Sequence, residues 1–282
     1  MASTPSTLVE LTGEPQRKSG APSLAAFRYV VGLGWILPLF VLLGWEIVSA
    51  LGWVAPHLLP PPSQLARTFA ELAGNGELFR HIGVSAARVG AGFALGVALA
   101  LLLGAIVAQS HVVEQLMDPS LQGLRAVPSL AWVPLLLLWL GIDTAPKIAL
   151  IAIGTFFPAY LSTVSGFKNV DRKLIEVGQQ LNFSRANLVR RIYLPAALPA
   201  IFTGIRTSAG LGWMFLVAAE LIAATSGLGY LLTDGRETGR ADLVLVSILT
   251  LAVLGKVTDS LLAFIEARWL DWRDIHLTGA IA

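Results

Sequence analysis

The sequence predicts an all-α integral membrane protein that crosses the bilayer with about six helices. Of its 282 residues, 55% are hydrophobic and 13% are charged, whereas in soluble domains about a quarter of the residues are charged. A chain this poor in charge lacks the polar surface that a soluble domain of the same length requires, so its apolar residues are expected to face lipid. Long apolar segments separated by short polar stretches point to the same fold class.

Six segments have the roughly 20 mostly apolar residues that a membrane-spanning helix requires. The predicted spans are 29–51, 84–108, 124–141, 146–166, 198–224 and 242–264. They form a membrane domain, 28–265, between a polar N-terminal tail, 1–27, and a short charged tail, 266–282. Trp45 and Trp53 near the end of the first span are typical of a membrane interface.

The distribution of lysine and arginine predicts the orientation, because cytoplasmic loops carry an excess of these residues. One side holds twelve of them: Arg17, Lys18, Arg28, Arg125, Lys168, Arg172, Lys173, Arg185, Arg190, Arg191, Arg268 and Arg273. The other side holds six: Arg67, Arg80, Arg88, Lys147, Arg236 and Arg240. We therefore expect both termini and the segment 167–195 to face the cytoplasm.

The segment 167–195 is a polar interruption between the fourth and fifth predicted spans, and its pattern predicts two short amphipathic helices. Asp171 and Ser184 are expected to cap them, since their side chains accept hydrogen bonds from free backbone N–H groups. Pro195 and Pro199 are expected to end the second helix before the next span begins. Such a pair suits either docking into a partner's groove or lying on the membrane surface.

The same segment resembles the signature loop of bacterial ATP-binding-cassette import permeases. The family pattern is Glu-Ala-Ala, three residues, Gly, nine residues, Ile, any residue and Leu-Pro. The chain follows it, with two small positions altered, at Glu176, Val177, Gly178, Asn182, Ile192, Leu194 and Pro195. Asn182 replaces the central glycine, and asparagine tolerates left-handed backbone better than most residues. The resemblance implies that this segment, with Arg185, is the coupling element that sits in a cleft of the ATPase subunit.

Further stretches resemble the branch of this family that imports aliphatic sulfonates, taurine and nitrate. They are Leu59-Pro60-Pro61-Pro62-Ser63, Leu124-Arg125-Ala126-Val127-Pro128, Leu138-Trp139-Leu140-Gly141-Ile142, Gly154-Thr155-Phe156-Phe157-Pro158, Ser226-Gly227-Leu228-Gly229-Tyr230 and Trp269-Leu270-Asp271-Trp272. The resemblance covers most of the chain and implies a fold like that of type I importers. It implies a small organosulfur anion, an aliphatic sulfonate, as cargo, with taurine, nitrate or another small solute as the alternative.

The resemblance also implies the partners. These are a second copy of the chain, two ATPase subunits on the cytoplasmic side, and a periplasmic or lipid-anchored binding protein that delivers cargo at the bacterial inner membrane. ATP and Mg²⁺ would be bound by the ATPase and no cofactor by this chain, which lacks a Gly-x4-Gly-Lys-Ser/Thr loop. Its Gly-Lys pair, Gly255-Lys256, is followed by Val257. We therefore expect a transport subunit with no enzymatic activity and no nucleic-acid partner.

Three charged residues, Arg206, Lys256 and Asp259, lie inside predicted spans. A charge at the centre of a membrane helix costs on the order of 2.5–3.5 kcal/mol, so such residues are expected to have partners. Lys256 and Asp259 are three residues apart and share one helix face. We predict that Asp259 pairs with Lys256, Arg206 or both, either as a bond that locks the fifth and sixth spans together or as a gate.

Candidate residues for the translocation path are side chains that could donate hydrogen bonds to a sulfonate inside the membrane. They are Ser129, Trp132, Thr203, Thr207, Ser208 and Trp213. For the hydroxyl groups, a bond to their own helix is the alternative. Glu220 lies near the outer end of the fifth span, where a bare carboxylate would repel an anion. We therefore expect it to be hydrogen-bonded or salt-bridged and to shape an outer gate.

Two other kinds of membrane protein fit the sequence less well. A membrane enzyme needs clustered acidic or histidine residues at one depth, and the intramembrane charges here are isolated. A stand-alone channel or secondary transporter predicts inverted repeats or matching broken helices, and no convincing repeat is found. The histidines lack metal-ligand spacing, so neither a catalytic residue nor a metal ligand is predicted; they are His57, His81, His111 and His276.

Overall fold

The computed structural model describes residues 24–55 and 57–270, and within these ranges the chain consists of helices joined by short turns. The predicted all-α fold class is confirmed. The helices are α1 (Leu24–Ala50), α2 (Pro62–Gly74), α3 (Glu77–Gln109), α4 (His111–Ala126), α5 (Val133–Leu140), α6 (Thr144–Lys168), α7 (Arg172–Gln180), α8 (Arg185–Leu188), α9 (Leu194–Ala223), α10 (Leu228–Glu237) and α11 (Ala241–Trp269). A 3-10 turn, Ser129–Trp132, precedes α5, and a π turn, Val189–Tyr193, joins α8 to α9.

The chain divides into two compact units, Met1–Trp53 and Val54–Ala282. The described part of the first unit contains α1, a helix of 27 residues at the position of the first predicted span, 29–51. The other helices belong to the second unit.

Four helical segments of the second unit are long and apolar enough to cross a membrane. They are Glu77–Gln109, Thr144–Lys168, Arg185–Ile222 and Ala241–Trp269. They lie at the positions of the second, fourth, fifth and sixth predicted spans. A bent pair of helices at the position of the third span provides a fifth crossing if it is counted as one span.

The third predicted span, 124–141, is not one straight helix. The segments His111–Ala126 and Ser129–Leu140 meet at an angle of 86°. Pro128, which lies at the bend, has no backbone N–H and cannot continue the hydrogen-bond pattern of the preceding helix. With 8 residues, α5 is too short to cross a membrane by itself. The continuous span that the sequence predicted here is therefore wrong in its geometry.

The bent pair returns the chain from one end of the bundle to the other, because α3 and α6 run parallel. Gly92 of α3 lies against Ile151 of α6, and Gly104 lies against Thr163, so the contacts progress in the same direction along both helices. A side chain at either glycine would overlap α6. The absence of side chains lets the two helices approach closely, as small residues commonly do in membranes.

The fifth span begins earlier than the sequence predicted. Arg185–Ile222 is one helical segment of 38 residues, in which α8, the π turn and α9 follow without interruption. The prediction that Pro195 and Pro199 end the second short helix is wrong. Pro195 occupies the first turn of α9, directly after the wider π turn. There its missing N–H does not end the helix, because the π turn has already changed the hydrogen-bond pattern.

The core of the second unit lies where α3, α6 and α9 meet. One buried cluster contains Val89 of α3, Leu150 and Ile151 of α6, and Trp213 and Leu216 of α9. α9 runs antiparallel to both neighbours and therefore carries contacts from one end of the bundle to the other.

Candidate functional site

The coupling segment, residues 167–195, begins with a capped helix. The Asp171 carboxylate accepts a hydrogen bond from the Lys173 backbone N–H at 2.9 Å, and α7 follows. The Ser184 hydroxyl accepts a hydrogen bond from the Asn187 N–H at 3.4 Å and precedes α8. Both side chains thus satisfy donors that have no partner within their helix. The structure places the two caps at the residues that the sequence indicated.

The two helices of the coupling segment are joined by a tight turn. Asn182 has φ +54°, the left-handed conformation that asparagine tolerates. Gly178 is buried between α7 and α8, and a Cβ at this position would overlap Ile192 and lie 2.7 Å from the Leu188 side chain. Gly178 and Asn182 therefore bring α7 and the α8–α9 helix into direct contact.

The outer side of the coupling segment is apolar and uncovered. Leu174, Val177 and Leu181 of this side are 50%, 53% and 62% exposed. They border a groove whose other wall contains Ile192 and Pro195. Three exposed or partly exposed side chains of this size on one short helix are unusual for a surface in contact with water alone.

The predicted coupling residues occupy two different positions in this segment. Gly178 and Ile192 lie inside, whereas Glu176 and Arg185 lie on the surface, and Glu176 accepts a hydrogen bond from Arg172 at 3.1 Å. Leu194, which is 41% exposed, begins α9. The remaining predicted coupling residues, which are described above, are Val177, Asn182 and Pro195.

The surface of the coupling segment is rich in cations. The exposed basic residues are Lys168, Arg172, Lys173, Arg185, Arg190 and Arg191. The Arg191 guanidinium lies 5.5 Å from the centre of the Phe183 ring, which orients it by a cation–π interaction. The segment can therefore present an apolar centre with a basic rim to a partner.

A second site lies at the other end of α9, where polar side chains are buried. We call the side chains of His81, Ser85, Arg88 and Glu220, with the backbone of Ser226–Gly229, the Glu220 network. Glu220 is 0% exposed. Its carboxylate accepts hydrogen bonds from Arg88 Nη1 at 2.6 Å and from Ser85 Oγ at 2.9 Å. The structure therefore gives Glu220 the ionic and hydrogen-bonding partners that a buried carboxylate requires.

The Glu220 network also holds the beginning of α10. The backbone N–H of Gly227 donates to His81 Nδ1 at 2.9 Å, that of Leu228 to Ser85 Oγ at 2.8 Å, and that of Gly229 to Glu220 Oε2 at 2.8 Å. Gly227 has φ +116°, and a Cβ here would overlap the Glu220 carboxylate. Side chains of α3 and α9 thus replace the missing intrahelical acceptors of α10.

The sequence analysis missed three members of this network, His81, Ser85 and Arg88. It counted Arg88 as a loop charge and His81 as an isolated histidine. A signal was present, because these residues are four and three positions apart and share one face of α3 with Gly92. A row of polar residues that continues into a row of glycines indicates a helix face in contact with protein.

The structure separates the predicted path residues rather than bringing them into one site. Ser208 is buried and donates to the Thr155 carbonyl at 2.7 Å, and the Trp213 indole donates to Thr258 Oγ1 at 3.2 Å. These two side chains connect α9 to α6 and α11. Ser129 and Trp132 lie in the 3-10 turn before α5.

Thr203 and Thr207 lie on an exposed face of α9. Their hydroxyls donate to the carbonyls of Pro199 at 3.0 Å and of Thr203 at 2.9 Å, which are bonds within their own helix. Gly210 and Met214 continue the same face, with no atom within 4 Å of a Cβ built at Gly210 and Met214 55% exposed. This face of α9 has no neighbouring helix within the described part of the second unit.

The predicted intramembrane charges form one cluster between α9 and α11. Arg206 Nη2 lies 2.9 Å from the Asp259 carboxylate, and Arg206 Nη1 lies 3.1 Å from Glu266, a partner that the sequence analysis did not predict. Lys256 Nζ lies 3.9 Å from Asp259 and is largely exposed. Arg206 therefore bridges two carboxylates of α11, and Lys256 is the more loosely held cation.

Within residues 24–55 and 57–270, no group of three or more histidine or acidic side chains is placed to hold a metal ion. The buried polar groups described above instead connect helices. The site geometry is that of a membrane bundle with one closed polar end and one exposed amphipathic end.

Comparison with known proteins gives the same architecture. The chain is 41% identical over 270 residues to a Bacillus subtilis protein named as an aliphatic sulfonates transport permease, covering 96% of both chains. An Escherichia coli protein of the same name is 42% identical over 242 residues, covering 86% of this chain and 92% of the relative. The inward-facing MetNI methionine ABC transporter has a similar fold, with a TM-score of 0.58 at 18% identity over 69% of this chain and 95% of that chain.

A family model described as the inner membrane component of binding-protein-dependent transport systems matches residues 96–271. This range contains the coupling segment and the whole of α9, the helix that links the two sites. Sequence and fold agree, and the chain belongs to the family of inner membrane components of binding-protein-dependent transport systems.

Proposed function

We propose that this chain is the pore-forming subunit of an ATP-driven importer of aliphatic sulfonates in the bacterial inner membrane. The observation that carries the proposal is the coupling segment, in which Leu174, Val177 and Leu181 are exposed on α7 and its C-terminal cap, beside the π turn that leads into α9. The relatives named for aliphatic sulfonates support the cargo. The chain supplies the path, and ATP and Mg²⁺ are bound by separate ATPase subunits.

The apolar centre and basic rim of the coupling segment suit a cleft on the ATPase. Burying Val177 and Leu181 in such a cleft removes apolar surface from water, at about 25 cal/mol per Å². The surrounding arginines favour a partner surface that carries carboxylates. Two ATPase subunits, one for each copy of this chain, would give both coupling segments a partner on the cytoplasmic side.

The coupling segment can transmit motion because it is continuous with a membrane helix. A displacement of α7 would be transmitted to α8 and the π turn through Gly178, which contacts Leu188 and Ile192. These residues belong to the helical segment Arg185–Ile222 of 38 residues, which at 1.5 Å per residue is about 57 Å long. Closure of the ATPase pair would thus move α9 and change which side of the membrane the path opens to.

The second copy of the chain would complete the path. Thr203, Thr207, Gly210 and Met214 form an exposed α9 face, and small residues on such a face let a second helix approach closely in a membrane. A second copy would cover this face and leave a path along the shared axis. A periplasmic or lipid-anchored binding protein would deliver cargo at the opposite end from the coupling segment, with both termini cytoplasmic.

The proposal is tested by placing a charge in the apolar centre of the coupling segment. Val177→Asp should reduce capture of the ATPase and uptake of ethanesulfonate by membrane vesicles by about tenfold, since a buried carboxylate costs more than 1.4 kcal/mol. Gln180→Asp, on the exposed side of the same helix, is the matched control and should retain both. Equal capture of the ATPase by Val177→Asp and the unchanged chain would refute the proposal.

The cargo is tested separately with the unchanged complex. Uptake of ethanesulfonate should exceed uptake of taurine and nitrate when each is offered with the system's own binding protein. A complex that hydrolyses ATP and moves taurine or nitrate, but no ethanesulfonate, would keep the importer mechanism and change the cargo.

A further inference from the structure

One face of α4 is polar along its whole length, although α4 belongs to the bent pair that can form a membrane crossing. The residues of this face follow one another at steps of three or four positions and therefore share one side of the helix. They are His111, Gln115, Asp118, Gln122 and Arg125, and we call them the α4 polar face. None of them is buried in the described structure. A polar face of this length is unfavourable against lipid.

Contacts with α6 show how deep the α4 polar face reaches. Glu114, in the first turn of α4, pairs with Lys168 at the last residue of α6. At the other end of α4, Arg125 borders a narrow cleft with Phe157 and Tyr160. These two residues lie near the middle of α6, about 12–16 Å from Lys168 at 1.5 Å per residue. Because the hydrocarbon core is about 30 Å thick, Arg125 lies near its centre and not at the cytoplasmic side, where the sequence analysis counted it.

Arg125 is a cation without an ionic partner at this depth. Its side chain is exposed, and among residues 24–55 and 57–270 no carboxylate lies at ion-pair distance from it. Asp118 shares the cleft with Arg125 but accepts a hydrogen bond from Gln122. Charged residues inside a membrane normally face water, an opposite charge or the interior of the bundle. The exposed side of Arg125 is therefore expected to face water or an anion.

The α4 polar face and the exposed face of α9 border the same side of the second unit. Leu161 of α6 lines the cleft beside Arg125 and is 41% exposed. The next residue, Ser162, lies against Gly204 of α9, which is the neighbour of Thr203. Leu161 is therefore exposed between α4 and α9, and a path along the α9 face would pass Arg125.

We infer that the α4 polar face lines the water-filled path and that Arg125 contacts the sulfonate group of the cargo halfway across the membrane. A guanidinium can donate two parallel hydrogen bonds to an oxyanion, and a sulfonate presents three oxygens. The cleft beside Arg125 has a free volume of about 20 Å³, room for about one water molecule, so the cargo would reach the guanidinium from its exposed side. This inference rests on the proposed function for its cargo.

The first test uses the absence of cysteine from the chain, so that one introduced thiol reports only its own surroundings. In the assembled importer, Gln122→Cys should react readily with sulfonatoethyl methanethiosulfonate, a membrane-impermeant anionic reagent. Leu116→Cys is the matched control, because Leu116 is 76% exposed but lies on the apolar side of α4. It should react about tenfold more slowly, since apolar surroundings disfavour the reactive thiolate. Equal reaction rates of the two thiols would overturn the inference.

The second test measures whether Arg125 attracts anions. For Gln122→Cys, the rate with the anionic reagent is divided by the rate with its trimethylammonium analogue. Adding Arg125→Gln should lower this ratio several-fold, because residues three apart on a helix are neighbours. Adding Arg125→Lys should preserve the ratio, since the positive charge remains. A ratio that is the same with and without the Arg125→Gln substitution would refute a role of Arg125 in anion contact.

The third test measures transport. Arg125→Gln should reduce ethanesulfonate uptake by membrane vesicles by about tenfold, as expected for the loss of one charge-assisted contact. Arg236→Gln is the matched control, because the Arg236 side chain is 71% exposed on α10, and it should leave uptake unchanged. The midpoint temperature of unfolding should change little in both variants, so that a loss of uptake is not a loss of folded protein.

The outcomes separate this inference from the proposed function. If the unchanged importer takes up ethanesulfonate and Arg125→Gln takes it up equally well, the inference is wrong and the importer proposal stands. If the reagent ratio depends on Arg125 but the unchanged importer takes up no sulfonate, Arg125 stands as an anion contact in the path and the proposed cargo is wrong.

Discussion

The coupling segment and the Glu220 network lie at opposite ends of α9 and differ in how their side chains are covered. In the coupling segment, Leu181 is 62% exposed, and Leu174 and Val177 of α7 are at least half exposed. In the Glu220 network, Glu220 is 0% exposed, and its carboxylate accepts from both side-chain and backbone donors. The coupling segment leaves apolar side chains exposed, whereas the Glu220 network is held together by the chain's own residues.

This difference indicates which end moves and which end is fixed. A buried, charge-assisted network is rigid because breaking any of its bonds leaves an unpaired polar group. An amphipathic helix that touches its neighbour mainly through Gly178 can shift as a unit when a partner binds. We therefore expect substitutions in the Glu220 network to lower stability, and substitutions in the coupling segment to lower transport with smaller effects on stability.

The largest expected effect is that of Glu220→Gln. The substitution leaves Arg88 as a buried cation without its ion-pair partner, which costs about 3–5 kcal/mol. The midpoint temperature of unfolding in detergent should fall strongly, together with the yield of folded protein. Glu237→Gln is the control, because the Glu237 side chain is 69% exposed. Similar stabilities of the two variants would contradict the contrast between the two ends.

Gly178→Val should separate stability from transport. The new side chain would overlap Ile192 and Leu188, and overpacking of this kind costs about 1–3 kcal/mol. Because the strain falls between α7 and α8, ATPase-dependent uptake should be lost while the membrane bundle stays folded. Gln179→Val, at the next position on the exposed side of α7, should transport normally. Normal uptake by Gly178→Val would show that the close contact of Gly178 with Leu188 and Ile192 is not needed for transport.

Asn182→Val tests the turn between the two coupling helices. At φ +54°, a β-branched residue is strained, and left-handed backbone costs about 1–2 kcal/mol for residues other than glycine. Uptake should fall several-fold, with the unfolding temperature of the bundle little changed. Asn182→Gly should transport at least as well as the unchanged chain, since glycine adopts this conformation freely. A defect in the glycine variant would indicate that the asparagine side chain itself is needed.

The smallest effect on stability is expected for Asp259→Asn. The Asp259 and Arg206 side chains are 40% and 36% exposed, and Arg206 keeps Glu266 as a partner. Exposed ion pairs contribute about 0–1 kcal/mol, so the free energy of unfolding should fall by no more than this amount. Uptake should change measurably. If both assembly and uptake are unaffected by Asp259→Asn, the cluster is neither a bond that locks α9 to α11 nor a gate.

Much of the fold was accessible from the sequence because lipid imposes simple rules. Apolar segments of about 20 residues identify spans whatever their neighbours are, and the family resemblance rested on residues between Glu176 and Pro195. The bends and exact ends of the helices were harder to predict from the sequence. The bend at Pro128 and the uninterrupted helix through Pro195 differ in outcome although both involve proline, because the π turn before Pro195 changes the hydrogen-bond pattern there and no such turn precedes Pro128.

The residues of the candidate sites could be predicted from the sequence to different degrees, because some of their contacts are local along the chain and others join distant helices. Asp171 and Ser184 cap helices that begin at the next residue, and Asn182 forms a turn through its own backbone conformation. Residue preferences for caps and turns were therefore enough to identify them. The partners of Glu220 come from α3, more than 130 positions away along the chain, and spacing within one span could not pair them. For Thr203 and Thr207, residue type alone was misleading. Their hydroxyls could donate hydrogen bonds to a cargo, but in the structure they donate to carbonyls of their own helix.

The sequence by itself determined that this chain is a helical membrane protein and that residues 167–195 contain two short, capped amphipathic helices. Both follow from composition and from interactions over short distances along the chain. Only the tertiary structure decided that Arg88 and Glu220 form a buried pair and that Glu220 also accepts a hydrogen bond from the first turn of α10. The physical reason is that burial and charge balance depend on which helices are neighbours, and helices that are far apart in sequence become neighbours only when the bundle is packed.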